Sequence, residues 1–445
     1  MSAPSAAPRE TDLPASAQQQ RSAWWWIPSL YFGEGMPYVV VMTLAGTMYT
    51  TLGMPNAEMA LVTSLLYLPW VIKPLWSPIV DIFRTKRHWV VVMQLLIGAA
   101  MALVAFTLPM AFAFQISLAA FWLVAFSSAT HDIAADGFYL LALPAHEQAA
   151  FIGVRSAFYR VAMLAGQGGL VWVAGTLGDT TGNITLGWSI VFMILASLFF
   201  VLFFYHSRVL PRPGVDRPSG ASDGVVAEFM ATFVQFFQRR DIVVVLAFLL
   251  LFRFGEAQAL KMVTPFLLAA HQQGGLALST AQVGITYGTI GVISLTLGGL
   301  LGGFAISRHG LKKWLWPMML SVHLPNIAFV YLAFAAPDNI HLIQTAIAVE
   351  QFGYGFGFTA FMMYMILVAD RDGNNPHKTA HYAICTGFMA LGMMLPGMVS
   401  GWIQEQLGYQ RFFVWVCFAT LPSLAVAAFL QIGPTFGKKV EAAGD

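Results

Sequence analysis

Apolar runs of about 20 residues recur along the whole chain, and this pattern limits the possible folds more than any other feature. Examples are residues 90–109, 188–205 and 412–432. A helix needs about 20 apolar residues to cross the hydrocarbon core of a bilayer. Charged residues make up only 10% of the 445, too few to cover a water-soluble surface of this size. The sequence therefore predicts an all-α membrane protein.

The runs divide into about twelve predicted spans. We place them at 24–50, 57–83, 88–109, 112–141, 148–178, 184–207, 242–271, 280–306, 311–335, 339–369, 378–406 and 411–433. One long polar connection separates the first six from the last six. The predicted domains are a disordered tail 1–23, a six-helix bundle 24–207, a linker 208–241, a second bundle 242–433 and a tail 434–445. Within the linker, residues 225–237 could form an amphipathic surface helix.

The basic residues are distributed very unevenly between the two sets of connections. With the N-terminus inside, 17 of the 23 Lys and Arg fall in cytoplasmic segments, five lie within spans, and only Arg411 lies outside. Cytoplasmic loops carry such an excess. We therefore expect a multi-pass protein of a bacterial inner membrane with both termini in the cytoplasm. Cys385 and Cys417 fall in spans, so neither indicates a disulfide framework.

Two glutamates occupy matching places in the two halves. Glu34 and Glu256 each follow a Phe-Gly pair inside an apolar span, 222 residues apart. Trp89 and Trp314, after the second and eighth spans, are 225 apart. Parallel repeats of this kind are typical of transporters whose site lies between the halves. Because a carboxylate at mid-span costs about 2.5–3.5 kcal/mol, each glutamate predicts a partner or a function.

The two glutamates differ in their neighbours along the chain. Arg253 lies one turn before Glu256 and could neutralise it, whereas Glu34 has no basic residue within one turn. Burial favours the protonated form of such a carboxyl group, so Glu34 is the better candidate to carry a proton. Glu350, deep in the tenth span, is a third candidate.

The fourth and fifth spans carry a second set of charges. Asp132 and Asp136 are four residues apart and share one helix face. Either one of them holds a proton, or both are solvated or ion-paired. Arg155 and Arg160 of the fifth span could pair with these aspartates, and a substrate anion could compete for the arginines.

The end of the second span carries Asp81, followed by Arg84, Lys86 and Arg87. This segment resembles the motif between the second and third spans of the major facilitator family. Ser77 and Thr85 stand where that motif has glycines. The resemblance implies that Asp81 and the basic cluster form an ion-pair latch that breaks as the halves move. The alternative is a charged loop without such a role.

A more specific resemblance lies in two stretches, Lys73-Pro74-Leu75-Trp76-Ser77-Pro78-Ile79-Val80-Asp81 and His131-Asp132-Ile133-Ala134-Ala135-Asp136. They are similar to stretches of the AmpG-type muropeptide permeases, a group that also includes acetyl-CoA transporters and siderophore importers of the rhizobactin and pyochelin type. The resemblance implies a major facilitator fold and proton-driven import, with Asp132 and Asp136 in the coupling. Glu34 stands where the muropeptide permeases have small residues, so a muropeptide, a smaller amino sugar and a siderophore all remain open.

The sequence has none of the motifs that would indicate an enzyme or a nucleotide-driven pump. It shows no Walker A sequence, no metal-ligand cluster and no nucleophile arrangement. We therefore predict no catalytic residues and no cofactor or metal. The expected partners are a small-molecule solute, protons and the lipid bilayer, with no nucleic acid, and we expect a monomer. A membrane-embedded acyltransferase and a non-transporting sensor are the rival functions.

Overall fold

The computed structural model describes residues 22–218, 231–370 and 378–438, and within these ranges the chain is almost entirely helical, without strands. In the first half the helices are α1 (Ile27–Val39), α2 (Ala45–Thr51), α3 (Asn56–Leu65), α4 (Leu68–Phe83), α5 (Lys86–Thr107), α6 (Ala113–Ala142), α7 (Ala145–Met163), α8 (Val171–Thr181) and α9 (Ile184–Val209). Wide π-helical turns at Val40–Leu44 and Leu164–Leu170 join α1 to α2 and α7 to α8.

The second half repeats this arrangement. Its helices are α10 (Ile242–Leu251), α11 (Phe254–Leu268), α12 (Thr280–Val283), α13 (Val292–His309), α14 (Leu311–His323), α15 (Asn326–Ala335), α16 (Ile340–Ala369), α17 (Lys378–Ala419) and α18 (Leu421–Ala427). A third π-helical turn, Gly284–Gly291, joins α12 to α13. The long α17 is broken at Gly408, whose φ of 70° lies in the left-handed region that favours glycine.

Ten helical segments among the described residues are long and apolar enough to cross a membrane. The first segment, residues 27–51, is helical throughout but is not one of these ten. The last of the ten, Ala380–Ala427, contains the break at Gly408. An all-α membrane protein is therefore confirmed, whereas the count of twelve spans and the domain boundaries stay predictions.

Each half packs as its own bundle. In the first half α5 packs against both α6 and α9, and in the second half α13 and α14 both pack against α16. Large apolar side chains such as Val201, Leu300 and Phe418 remain exposed on the outside. In water these exposed apolar side chains would promote aggregation, whereas in a bilayer they contact the lipid chains.

The two bundles meet tightly at one end of the molecule, which we call the closed end. This end carries the connections 52–55, 182–183 and 269–279. The amide of Asn56 donates hydrogen bonds to Gln404 Oε1 at 2.7 Å and to the Tyr409 hydroxyl at 2.9 Å. The backbone N–H of Ala57 donates to Glu405 Oε1 at 2.8 Å. These bonds join α3 of the first half to the last long helix of the second.

Two glycine-rich seams bring the backbones into contact near this end. A side chain at Gly288 would collide with the carbonyl oxygen of Gln167, and one at Gly401 would collide with that of Asn56. A side chain at Gly397 would come within 2.6 Å of Ser64 Oγ. Small residues permit such close approach between helices in a membrane.

Irregular backbone interrupts the first and seventh spans beside the two glutamates. α1 contains Pro37, which cannot donate a hydrogen bond within the helix, and a π-helical turn follows it. The helix of the seventh span breaks between α10 and α11, directly before Glu256. The predicted linker helix 225–237 is helical at 231–237, while residues 225–230, together with 1–21 and 439–445 of the predicted tails, lie outside the described ranges.

Candidate functional site

A cavity of about 710 Å³ lies between the two bundles, behind the closed end. Its first-half wall includes Tyr31, Glu34, Tyr38, Arg155, Tyr159 and Arg160. Its second-half wall includes Arg253, Lys261, Tyr287, Gln351 and Tyr354. Asp132, Asp136, Glu256 and Glu350 do not line it. The structure thus places three of the seven predicted coupling or substrate residues, Glu34, Arg155 and Arg160, in the cavity wall. Asp136, Glu256 and Glu350 each contact a wall residue, whereas Asp132 is paired with Lys73, which does not line the cavity.

α1 presents one polar face to the cavity. Tyr31, Glu34 and Tyr38 are spaced by three and four residues, so they lie on the same side of the helix. Gly35 lets α1 approach α7 closely, because a side chain there would come within 3.1 Å of the Tyr159 carbonyl oxygen. The close contact holds Glu34 against the charged face of α7.

Glu34 is buried and has no ion-pair partner among the described residues. Its relative exposure is 7%, and its Oε2 atom has no hydrogen-bond partner. The charges of Asp136, Arg155 and Lys73 all act on it from neighbouring helices. The absence of a basic neighbour along α1 therefore does not mean electrostatic isolation. Glu34 sits beside a cluster in which the cations already have other partners.

Arg155 and Asp136 form the centre of that cluster. The Arg155 guanidinium is ion-paired with Asp136, as the sequence predicted. It lies 4.3 Å from the ring centre of Tyr31 and 4.9 Å from that of Tyr139, which adds cation–π attraction. The Tyr31 hydroxyl donates to Asp136 Oδ1 at 3.3 Å. Asp136 thereby holds Arg155 away from a direct bond to Glu34.

Asp132 has a different partner from the one predicted. It is ion-paired with Lys73 of α4, and Arg160 bonds neither aspartate. The prediction failed because α4 brings a cation to Asp132 from within the same bundle, while Arg160 turns across the cavity. Both aspartates are thus ion-paired, which is the structural alternative to a shared proton.

Glu256 is paired within its own helix turn. Arg253 donates to its two carboxylate oxygens at 3.2 and 2.9 Å, and the side chains are only 9% and 3% exposed. Arg253 also donates to the Tyr354 hydroxyl at 2.6 Å and stacks beside Phe358. The suggestion that Arg253 neutralises Glu256 is therefore confirmed in geometry.

Two other cations in the wall have no carboxylate partner among the described residues. Arg160 donates to Thr296 Oγ1 at 3.2 Å, and Lys261 donates to Thr63 Oγ1 at 3.0 Å. Each bond crosses from one bundle to the other. The Lys261 ammonium also lies 5.2 Å from the ring centre of Tyr67.

Glu350 lies behind the cavity wall. It is 4% exposed and accepts a hydrogen bond from the Gln351 amide at 2.8 Å. The same amide lies 3.5 Å from the Tyr287 hydroxyl, which does line the cavity. Glu350 therefore reaches the site only through its neighbours.

His131 belongs to a buried polar chain inside the first bundle. The Gln94 amide donates to His131 Nε2, and its oxygen accepts from His206 Nδ1, both at 3.0 Å. His206 Nε2 lies 2.9 Å from Ser29 Oγ. His131 Nδ1 has no partner among the described residues. The chain of hydrogen bonds ties four spans together.

The predicted latch is only partly visible. The Asp81 side chain lies outside the described residues, and Arg84 is exposed. Arg87 donates to the carbonyl oxygens of Ser207 and Leu210 at the end of α9. The backbone N–H groups of Lys86 and Arg87 donate to the Asp216 carboxylate at 2.8 and 3.1 Å, so Asp216 caps α5. These contacts anchor the start of the linker to the first bundle.

Sequence reasoning noted Tyr159 and Tyr354 but missed Tyr31, Tyr38 and Tyr287 of the wall and the cross-bundle bond of Lys261. The spacing of Tyr31, Glu34 and Tyr38 on one helix face was a usable signal for the first two tyrosines. No local signal pairs Lys261 with Thr63, because that contact depends on how the bundles dock. Within the described ranges no group of His, Cys, Asp and Glu could hold a metal ion.

Comparison with known proteins agrees with this architecture. The family model for the Major Facilitator Superfamily matches residues 29–376. The chain is 26% identical over 417 residues to the anhydromuropeptide permease of Escherichia coli (strain K12), covering 92% of this chain and 79% of that one. It is 24% identical over 416 residues to the putative transporter AmpG 4 of Rickettsia conorii (strain ATCC VR-613 / Malish 7), covering 89% and 94%. These relatives are a permease and a transporter, not enzymes.

Solved structures share the fold at low identity. The nucleoside transporter NupG superposes with a TM-score of 0.66 at 17% identity, covering 92% of this chain and 98% of that one. A D-xylose-proton symporter superposes with a TM-score of 0.65 at 13% identity, covering 93% and 98%. At these identities the likeness extends to the arrangement of helices alone.

Proposed function

The chain belongs to the major facilitator superfamily, and we propose that it is a proton-coupled importer of cell-wall muropeptides. It is a multi-pass membrane transporter for a small molecule. The proposal goes further and specifies the solute, the driving ion and the direction. It rests first on one observation: in the wall of the cavity between the bundles, the buried carboxyl group of Glu34 has no ion-pair partner among the described residues.

The choice of muropeptide is supported by the relatives and by the wall chemistry. A permease of 26% identity is named for anhydromuropeptides. A muropeptide joins amino sugars, which stack on aromatic rings, to a peptide that carries carboxylates. The wall supplies Tyr38, Tyr159 and Tyr287, together with two cations that have no carboxylate partner in the part of the chain that the structure describes. A cavity of about 710 Å³ lies within the range of ligand sites of roughly 300–1,000 Å³.

Proton coupling is proposed for Glu34 because it is the cavity carboxyl group without a permanent cation. A group that must take up and release a proton during the cycle has to be stable in both forms. Ion-paired carboxylates such as Glu256 already have a fixed cationic partner. Glu34 has charged neighbours but no fixed partner among the described residues. The balance between its protonated and charged forms can therefore change when the halves or the solute move.

The direction of import is proposed from the inward proton gradient that would drive it. With the N-terminus and the linker in the cytoplasm, as we propose, the closed end would face the periplasm. We propose that both termini are cytoplasmic and that the membrane is the bacterial inner membrane. The domain division at 208–241 is part of the same proposal.

Uptake in proteoliposomes tests the function. Radiolabelled anhydromuropeptide should accumulate when the outside is made acidic, and a protonophore should abolish the accumulation. A nucleoside and a ferric siderophore serve as competitors that should leave the uptake unchanged. Absence of accumulation by the purified protein, with competent lipid vesicles, would reject the muropeptide proposal, and accumulation insensitive to the protonophore would reject proton coupling.

Cysteine labelling tests the topology. In a background with Cys385 and Cys417 replaced, Ser219→Cys should resist a membrane-impermeant maleimide in intact cells, whereas Thr181→Cys should react. Thr181 is the matched control because it is exposed at the closed end. Reaction of Ser219→Cys with Thr181→Cys protected would invert the topology.

A further inference from the structure

Among the residues that the structure describes, four cations line the cavity wall, and they fall into two pairs. Arg155 and Arg253 are each bound to a carboxylate of their own bundle and stacked on aromatic rings. Arg160 and Lys261 are not bound to any carboxylate within the described ranges. Their charges are therefore not cancelled locally, although both are held at the wall of a cavity inside a membrane protein.

Lys261 extends from α11 of the second bundle to Thr63 of the first. Its ammonium donates to Thr63 Oγ1 at 3.0 Å and faces the ring of Tyr67. Thr63 is fully buried, and its own hydroxyl donates to the Met59 carbonyl oxygen at 2.7 Å. The ammonium has three protons to donate, and this contact engages one of them.

Arg160 makes the reciprocal contact. From α7 of the first bundle, its guanidinium donates to Thr296 Oγ1 of the second bundle at 3.2 Å. Thr296 donates in turn to the Val292 carbonyl oxygen at 2.8 Å. A guanidinium carries five N–H donors in a planar fork suited to a carboxylate. A single threonine oxygen leaves that fork largely unused.

We propose that Arg160 and Lys261 are the binding sites for carboxylate groups of the transported solute. This inference rests on the proposed function and identifies which wall residues recognise the acidic part of the solute. A hydrogen bond between a cation and a carboxylate is roughly twice as strong as one between neutral groups. A solute carboxylate therefore competes well against a threonine hydroxyl, whereas it competes poorly for Arg155 and Arg253, whose partners are already carboxylates.

The same contacts give binding a structural consequence. When a carboxylate engages Lys261 or Arg160, it shares the cation with the threonine of the opposite bundle. Because the charged carboxylate is the stronger acceptor, the hydrogen bond between the bundles is weakened. Occupancy is thereby linked to the contact between the halves, with both cations acting through substrate.

Binding of two matched probes tests the proposal. One is radiolabelled anhydromuropeptide with free carboxylates, and the other is the same molecule with its carboxylates converted to amides. Arg160→Gln and Lys261→Gln should each weaken binding of the acid probe about tenfold or more. The amide probe should bind each variant within about twofold of its affinity for the unmodified protein. Equal weakening of both probes would overturn the proposal.

Threonine variants separate recognition of solute from a purely structural bond. Thr63→Val and Thr296→Val remove the cross-bundle acceptors but keep the cations. They should retain the preference for the acid over the amide probe. If instead Thr63→Val loses this preference as fully as Lys261→Gln does, the bond between the bundles is the function of Lys261 and the inference is wrong.

Further controls keep the outcomes distinct. Arg160→Lys and Lys261→Arg keep the charge and should recover most of the acid preference, and exposed Lys313→Gln should leave binding unchanged. Thermal unfolding of each purified variant identifies one that does not fold. If the unmodified protein binds neither probe, the proposed function fails. If it binds the acid probe and both Gln variants bind it equally well, only the inference fails.

Discussion

Glu34 and Glu256 follow the same Phe-Gly pair in the two halves, yet their surroundings differ completely. Glu256 receives two hydrogen bonds from Arg253, three residues earlier. At the matching place before Glu34 the chain has Tyr31, whose hydroxyl bonds Asp136 instead. The cation nearest to that region, Arg155, comes from another helix and is already paired with Asp136. One position in the repeat thus decides whether the glutamate has a permanent partner.

The difference shows how the same position can have different roles in the two halves of a duplicated bundle. A buried carboxylate with a fixed guanidinium contributes a constant pair of charges and a rigid break in the helix at α11. A buried carboxyl group without one is free to respond to protons or solute. We therefore assign a structural role to Glu256 and propose that Glu34 couples transport to protons.

The largest effect is expected from removing the partner of Glu256. Arg253→Met leaves a charge buried and unpaired, which costs about 3–5 kcal/mol of the free energy of unfolding. Thermal unfolding of the purified variant should show a large drop in melting temperature or no folded protein. The double variant Arg253→Met with Glu256→Gln should recover much of the stability. An Arg253→Met protein as stable as the parent would refute a structural role for the pair.

Next in size is the loss of coupling in Glu34→Gln. This variant should not accumulate solute in response to a pH gradient, while exchange between equal pools continues, because exchange needs no net proton movement. Accumulation and exchange of labelled anhydromuropeptide in proteoliposomes measure the two activities. Glu58→Gln, an exposed glutamate at the start of α3, is the control that should accumulate normally. Accumulation by Glu34→Gln would transfer the proposed role to Asp132, Asp136 or Glu256.

A substitution that makes the first half resemble the second should have a smaller but marked effect on the accumulation of solute. Tyr31→Arg places a guanidinium three residues before Glu34, the spacing of the Arg253–Glu256 pair. A new charged hydrogen bond of about 1.5–3 kcal/mol favours the charged form of Glu34 and should reduce accumulation about tenfold or more. Tyr31→Gln removes the ring without adding charge and should reduce it less. Equal effects of the two changes would mean that loss of the tyrosine, not the new partner, is responsible.

The smallest effect is expected at the proposed latch, which only the first half contains. Asp81→Asn should slow uptake a few-fold and shift the balance between inward and outward access, with the protein still folded. Accessibility of cysteines introduced at the closed end reports that balance. Ser307→Ala, at the related end of the eighth span, should change neither quantity. Unchanged uptake and accessibility in Asp81→Asn would reduce the motif to a charged loop.

The fold was predictable because bilayer physics leaves few choices. Apolar length set most helix boundaries to within a few residues, as in 311–335, which α14 and α15 reproduce together. The irregularities were less predictable. Gly33, Gly35 and Pro37 beside Glu34, and Gly255 and Pro265 beside Glu256, are sequence signals for interrupted helices. They do not indicate the π-helical turns or the break at Gly408, which depend on packing against neighbouring helices.

The site was predictable where partners are close in sequence or lie on adjacent spans. Arg253 with Glu256 needed only helix periodicity, and Arg155 with Asp136 needed only the contact of consecutive helices. Lys73 with Asp132 was missed because α4 and α6 are not consecutive spans. The bonds from Arg160 and Lys261 to threonines of the other bundle could not be inferred. A neutral hydroxyl partner has no opposite charge by which the pair could be recognised in the sequence.

The glycine seams at the closed end bear on how easily that end can part. Surfaces that touch backbone to backbone have no interlocking side chains to withdraw and no rotamers to rearrange. Separation at Gly288 and Gly401 would also uncover little apolar side-chain area, and each Å² of such area carries a penalty of about 25 cal/mol. The joined and parted arrangements can therefore lie close in free energy, so that a modest difference in binding energy between them is enough to change their populations.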